Sequence, residues 1–297
     1  MTQFIDCRLS AVGGELATSV AANQGTSLND YMGLALSELV ASVRGRHVLI
    51  ATHGFNVNRS DGIACLSNWG SILQLPQASA FVGLLWPGDS IWAHGLDYGL
   101  EAKVADDAGV MIAEFVDANF ATAASVSFAS HSLGARVILS TISHMSLPVR
   151  QVTIMAGAVD DNALTNEFAD AAGKIGEISV LSSAKDEVLT WAFPMGNLAS
   201  GIIAVGHPWW HGALGHAGPA QPWPENMTAP YGIPDNWNYQ HGYYLAINQP
   251  PAPSLPIPTE VPPNGSAPLC SQCGPNGEPV PGWTEAFSAA FASSRFR

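Results

Sequence analysis

The sequence predicts an α/β fold: a mostly parallel central sheet with helices on both faces, and long irregular loops after the last clear strand. Three observations carry this reading. Strands alternate with helices between residues 27 and 190. The strands are short apolar runs of the kind buried on both faces. The chemically suggestive residues fall just after those runs, at the carboxyl ends where open parallel sheets bind ligands.

The elements follow in order. Gln3–Leu9 reads as a first strand. Ser27–Gly45 reads as a helix, because Leu28, Met32, Leu36, Leu39 and Val43 recur at helical spacing and Gly45 suits its end. His47–Ala51 is a buried strand running into Thr52-His53-Gly54-Phe55-Asn56. Phe81–Leu85 is a strand ending at Trp86-Pro87-Gly88-Asp89. Residues 99–120 have a long helix pattern. Val126, Phe128 and Ala129 mark a strand that breaks into an apolar helix containing Val137, Ile138 and Leu139. Val149–Met155 is a strand ending near Asp160 and Asp161. Ala163–Ala172 reads as helical, and Glu177–Leu181 is the last clear strand, running into Lys185-Asp186-Glu187. Gly201–Tyr244 is rich in Trp, His, Pro and Gly, and reads as long loops over the sheet edge. One α/β domain is expected over 1–249, with 197–240 as possible cap or pocket loops. Eleven of the 21 prolines lie between Pro250 and Pro281, so 250–282 reads as an extended segment. Residues 283–297 could close the chain as a short helix carrying Trp283, Phe287 and Phe291.

Composition narrows the function. Net charge is −13 with only 11 Lys+Arg, which disfavours nucleic acid and anionic membrane and suits a neutral substrate. No apolar run is long enough to span a membrane. The amino terminus lacks a basic segment followed by an apolar one, so no secretory signal is read and a cytoplasmic location is expected. Cys7, Cys65, Cys270 and Cys273 do not make a disulfide framework in 297 residues. Cys270 and Cys273 form a lone C-x-x-C without the two further ligands that zinc needs. The N-x-S/T matches at Asn58, Asn226 and Asn264 carry little weight in that location.

The chain turns on Ser130-His131-Ser132-Leu133-Gly134, between the strand at 126–129 and the following helix. A strand that breaks sharply into a helix around a serine flanked by small residues is a nucleophile elbow. The bland alternative is a serine capping an ordinary helix. A serine nucleophile needs a base and an acid that orients the base, in the chain order serine, acid, histidine. Asp186 and His241 satisfy that order. Asp160 or Asp161 is the rival acid, and His207, His211 and His216 are rival bases. The same three histidines could suggest a metal cluster, but their Gly/Pro-rich segment does not ensure a shared face, so no metal is expected. The loop after the strand at 47–51 would complete an oxyanion hole, with Phe55 N–H joining Leu133 N–H and Gly54 letting the backbone approach.

These motifs together resemble the α/β-hydrolase superfamily of serine esterases and lipases. The chain is most similar to an uncharacterised bacterial subgroup, through His53-Gly54-Phe55-Asn56, Trp86-Pro87, His131-Ser132-Leu133-Gly134, Lys185-Asp186-Glu187-Val188-Leu189 and His241-Gly242-Tyr243-Tyr244. The similarity covers about residues 47–245. Ser130 departs from it, standing where the elbow pattern has glycine. The resemblance implies hydrolysis of carboxylic esters through an acyl-enzyme, without a cofactor: Ser132 as nucleophile, His241 as base, Asp186 as the orienting acid. Substrate contacts are expected from Asn56, His131, Trp209 and Trp210. The substrate is expected to be a small neutral ester with a short or medium acyl chain. Alternatives are a non-catalytic module of the same fold, or amide or thioester hydrolysis or acyl transfer. Oligomeric state is not legible.

Overall fold

A computed structural model describes residues 1–73, 75, 77–89, 98–190, 212–233, 235 and 238–245. Nine strands form one sheet: β1 (Thr2–Arg8), β2 (Leu16–Gly25), β3 (Met32–Gly33), β4 (His47–Thr52), β5 (Ser79–Leu85), β6 (Ser125–His131), β7 (Val149–Met155), β8 (Ile178–Ser182) and β9 (Met227–Gly232). Their order is β3-β2-β1-β5-β4-β6-β7-β8-β9. From β1 through β9 every neighbouring pair is parallel; only β2 and β3 are antiparallel additions at one edge. This is the mostly parallel α/β architecture the sequence predicts.

The helices are α1 (Leu36–Val43), α2 (Arg59–Ile72), α3 (Tyr98–Asn119), α4 (Gly134–His144) and α5 (Ala169–Lys174). Strand order shows where they go. After β4 the chain crosses to β5 on one side; after β5 it returns past β4 to β6, then continues outward to β7. Right-handed crossovers therefore put α2 on one face and α3 and α4 on the other. The packing agrees: α3 lies against α4, and α2 lies against β5 and β1. The sheet core is buried from both sides, with Val48, Leu49, Ile50, Val126, Phe128, Val152 and Ile154 nearly or fully inaccessible. Among the described residues no helix is long and apolar enough to cross a membrane.

Four readings need correction. The helix expected over Ser27–Gly45 occupies only Leu36–Val43. Asp30 gathers the Thr26 and Ser27 backbone N–H groups and both hydroxyls into a turn, and such local bonds compete with helix formation. Leu28, Met32 and Leu36 are consequently exposed. Helix α2 is absent from the sequence reading, although Asn58 caps it by accepting from Asp61 N–H at 2.9 Å. Strand β2 is likewise absent from it. Finally, the stretch read as loops contains β9, paired to β8 from Met227 to Gly232. The proline-rich segment, the expected terminal helix with Trp283, Phe287 and Phe291, and both C-x-x-C cysteines lie outside the described residues.

Candidate active site

The direction of chain crossing reverses between β4 and β6, which are hydrogen-bonded neighbours. Their following segments leave on opposite faces and open a crevice at the strands' carboxyl ends. Ser132 follows β6 at this point, and His53–Asn56 follow β4.

Ser132 has a φ of 54°, in the left-handed region that non-glycine residues rarely occupy. The surroundings hold it there. Its N–H donates to Met155 O at 3.0 Å, and its carbonyl accepts from Ala135 N–H at 3.0 Å and Ala158 N–H at 3.1 Å. Such strain persists where neighbours over-determine it, and it clusters at functional sites. The two flanking glycines have steric reasons. A Cβ on Gly134 would stand 2.4 Å from His53 O, and one on Gly54 would stand 2.6 Å from Ser132 Cβ. The loop after β4 thus lies directly on the elbow. Ser130 fits where the pattern has glycine: it is fully buried in the sheet between Thr52 and Ile154.

The structure brings three expected residues together. His241 Nε2 lies 2.8 Å from Ser132 Oγ. His241 Nδ1 lies 2.7 Å from Asp186 Oδ2. Asp186 is fully buried, and its other oxygen accepts from Leu189 N–H at 3.0 Å. Burial of a carboxylate is tolerated when it is paired and hydrogen-bonded. A carboxylate only accepts, so Nδ1 carries hydrogen and Nε2 faces the serine hydroxyl with its lone pair. The rival acid Asp161 is engaged elsewhere: its carboxylate accepts from Gly212 N–H at 3.3 Å. Asp160 forms a backbone bridge with Ala213. Among the rival histidines, His216 sits in the single helical turn Leu214–Ala217; His207 and His211, with Trp209 and Trp210, lie outside the described residues. Among the described residues no cluster of metal-ligating side chains occurs.

Phe55 is half-buried and Asn56 is exposed beside the elbow. Asn56 also has a positive φ, 57°, and its N–H donates to Gly88 O at 2.7 Å. The Phe55 and Leu133 N–H groups have no hydrogen-bond partner among the described residues. His131 is buried, and its Nε2 lies 2.7 Å from the His241 carbonyl. Burial, with the nearby His241 ring, pushes the His131 pKa down to about 3.

Several supporting residues were not legible in sequence. Arg8, at the end of β1, has a fully buried side chain that pairs with Asp89 and donates to Trp86 O at 2.8 Å and Val57 O at 3.0 Å. It joins the β5 exit to the loop that carries Phe55. Trp86 Nε1 donates to His53 O at 3.0 Å, steadying the same loop from the other side. Ser183 Oγ donates to Tyr239 O at 2.7 Å, anchoring the segment that leads to His241. The sequence signals for these were the position of Trp86 and Asp89 at a strand end and the Trp86-Pro87 pair in the family resemblance.

A family described as "Alpha/beta hydrolase of unknown function" matches residues 32–204. The chain belongs to this family. The match includes Ser132 and Asp186, while Arg8 and His241 lie outside it. Among solved structures this α/β hydrolase is similar to esterase PE8, with 13% identity, a TM-score of 0.35, and coverage of 64% of this chain and 85% of that one. It is also similar to MenH from S. aureus, with 10% identity, a TM-score of 0.31, and coverage of 68% and 89%. No curated protein matches it.

Proposed function

We propose that the chain is a serine hydrolase that cleaves carboxylic esters through an acyl-enzyme. The observation that carries this reading is the pair of contacts made by one imidazole: 2.8 Å to Ser132 Oγ and 2.7 Å to Asp186 Oδ2. The first is within reach for proton transfer, and the second is a hydrogen bond that orients the ring.

Ser132 Oγ attacks the ester carbonyl as its proton passes to His241 Nε2. The resulting oxyanion accepts from Leu133 and Phe55 N–H, groups with no other described partner. Asp186 holds the His241 Nδ1–H and stabilises the imidazolium. Collapse of the tetrahedral intermediate expels the alkoxide, which takes the Nε2 proton and leaves as the alcohol. Water then gives its proton to His241 as it attacks the acyl carbon. Ser132 departs, recovers the proton, and the carboxylic acid is released.

A neutral ester with a short or medium acyl chain suits the −13 net charge, because an acidic surface repels anions. The half-buried Phe55 ring beside the elbow gives an apolar acyl group one aromatic contact. The reading is tested by treating the protein with a fluorophosphonate and mapping the adduct by mass spectrometry. A single adduct on Ser132, and loss of p-nitrophenyl butyrate turnover by about 10⁶ in kcat on Ser132→Ala, are expected. Wild-type-like turnover by the folded Ser132→Ala protein would refute it.

A further inference from the structure

The His241 ring is held at one end by Asp186, but a ring contact does not fix the main chain that carries it. His241 begins a five-residue 3-10 turn, His241–Leu245. Such short turns have strained hydrogen-bond geometry and little stability of their own. The turn needs anchors from elsewhere in the fold. One is Ser183, which holds the Tyr239 carbonyl two residues upstream at 2.7 Å.

Another comes from the residue next to the nucleophile. His131 is the last residue of β6, and its Nε2 lies 2.7 Å from the His241 carbonyl. A carbonyl oxygen only accepts, so Nε2 must carry a hydrogen. The His131 ring also lies 4.7 Å from the His241 ring and 5.8 Å from the Tyr244 ring, centre to centre. On its other side, His131 Nδ1 lies 3.2 Å from where a Cβ on Gly54 would stand. One buried ring therefore packs between the turn that carries His241 and the loop that carries Phe55, and its backbone is joined directly to Ser132.

We propose that His131 is a positioning residue: its Nε2–H holds the His241 carbonyl, and through that bond sets the reach of the His241 ring to Ser132. The assignment rests on the serine-hydrolase reading above. It also gives His131 a different task from substrate contact, since its donor is already committed inside the protein. The neutral ring serves the chemistry as well. His241 becomes an imidazolium while 4.7 Å from His131, and a second positive charge there would oppose it. Misplacement of a reacting group by about 1 Å can cost about 10² in rate, which sets the scale of the effect.

The test compares His131→Phe and His131→Gln with wild type in p-nitrophenyl butyrate turnover and in the rate of fluorophosphonate labelling. Phenylalanine keeps a ring against His241 and Tyr244 but has no donor. Glutamine restores an N–H at a similar reach. His131→Phe should lose about 30- to 100-fold in kcat and in labelling rate with KM within threefold, and His131→Gln should recover to within about fivefold of wild type. Equal losses in both variants, or wild-type rates in His131→Phe, would overturn the proposal. If neither variant folds, ¹⁵N-histidine spectra of the wild-type protein decide. A neutral His131 with hydrogen on Nε2 supports the bond to the His241 carbonyl; hydrogen on Nδ1 alone overturns it. Failure of the hydrolase reading is distinct, because then wild type itself would not be labelled at Ser132.

Discussion

Acid should destabilise this protein through His53, and the size of the effect follows from the site's construction. His53 is fully buried. Its Nδ1 lies 2.9 Å from Gly54 O, a carbonyl that only accepts, so Nδ1 carries the hydrogen. Nε2 is buried without a partner among the described residues. Protonating Nε2 would place a charge in apolar surroundings. Burial is the main cause that lowers the His53 pKa to about 3, with the nearby Arg8 guanidinium adding to it. In the unfolded chain the value is about 6.5. The unfolded state therefore binds more protons between these values, and stability falls as pH drops from about 6.5 towards 3. Each unit in that window costs about 1.4 kcal/mol, or about 2.7 kcal/mol by pH 4.5 relative to pH well above 6.5. Any folded value below about 3.5 gives nearly the same figure at pH 4.5. His131 adds its own share in both proteins compared, so it largely cancels. The assay is urea unfolding of wild type and His53→Phe from pH 4.5 to 8. Phenylalanine preserves a flat ring against Trp86, which stacks on His53 at 5.8 Å. The variant starts less stable at pH 8, having lost the donor to Gly54 O. Its stability should then fall less steeply, so that the gap closes by about 2.7 kcal/mol at pH 4.5. Parallel curves would refute the reasoning.

Two further outcomes bear on the catalytic assignments. Gly54→Ala places a methyl 2.6 Å from Ser132 Cβ, so the loop must retreat from the elbow. Activity should drop about 10²- to 10³-fold, the loss typical of one missing oxyanion donor, and kcat/KM within threefold of wild type would remove Phe55 from that role. Asp186→Asn should cost on the order of 10⁴ in kcat, by favouring the wrong histidine tautomer, while Asp160→Asn should cost little. Steady-state kinetics with the reverse ranking would move the acid to the end of β7.

Much of the site was legible because its signals are local or follow chain order. The elbow is a strand, a turn and a helix within about 20 residues, and small residues around Ser132 announce the turn. Asp186 and His241 follow from the order serine, acid, histidine, and the strands from runs such as His47–Ala51. What failed had a weak periodic signal, a periodic signal overridden by local hydrogen bonds, or a dependence on distant partners. Helix α2 and its C-cap bury Ile63, Leu66, Trp69 and Leu73 at helical spacing, but Gly62 and Ser67 share that buried face and weaken the apolar pattern. In 27–35 the spacing was helical, but Asp30 bound the Thr26 and Ser27 groups first. The His131 bond spans 110 residues of sequence; chain order brings His241 to Ser132 but does not assign its carbonyl to the neighbouring ring.

Arg8 shows why such distant contacts matter to the chemistry. A buried guanidinium is costly unless its donors are met and its charge is paired. Here the partners are Asp89 and the Trp86 and Val57 carbonyls beyond β5 and β4, with the Ser10 and Ala11 carbonyls just after β1. Meeting the needs of Arg8 therefore fixes these two strand exits relative to each other. Trp86 then donates to His53 O, and His53 O is the atom that leaves no room for a Cβ on Gly134. The chain of constraint runs from β1, outside the family-matched residues, to the helix that starts behind Ser132. The placement of Ser132 in this α/β hydrolase rests on the first strand as well as on the family-matched residues around it.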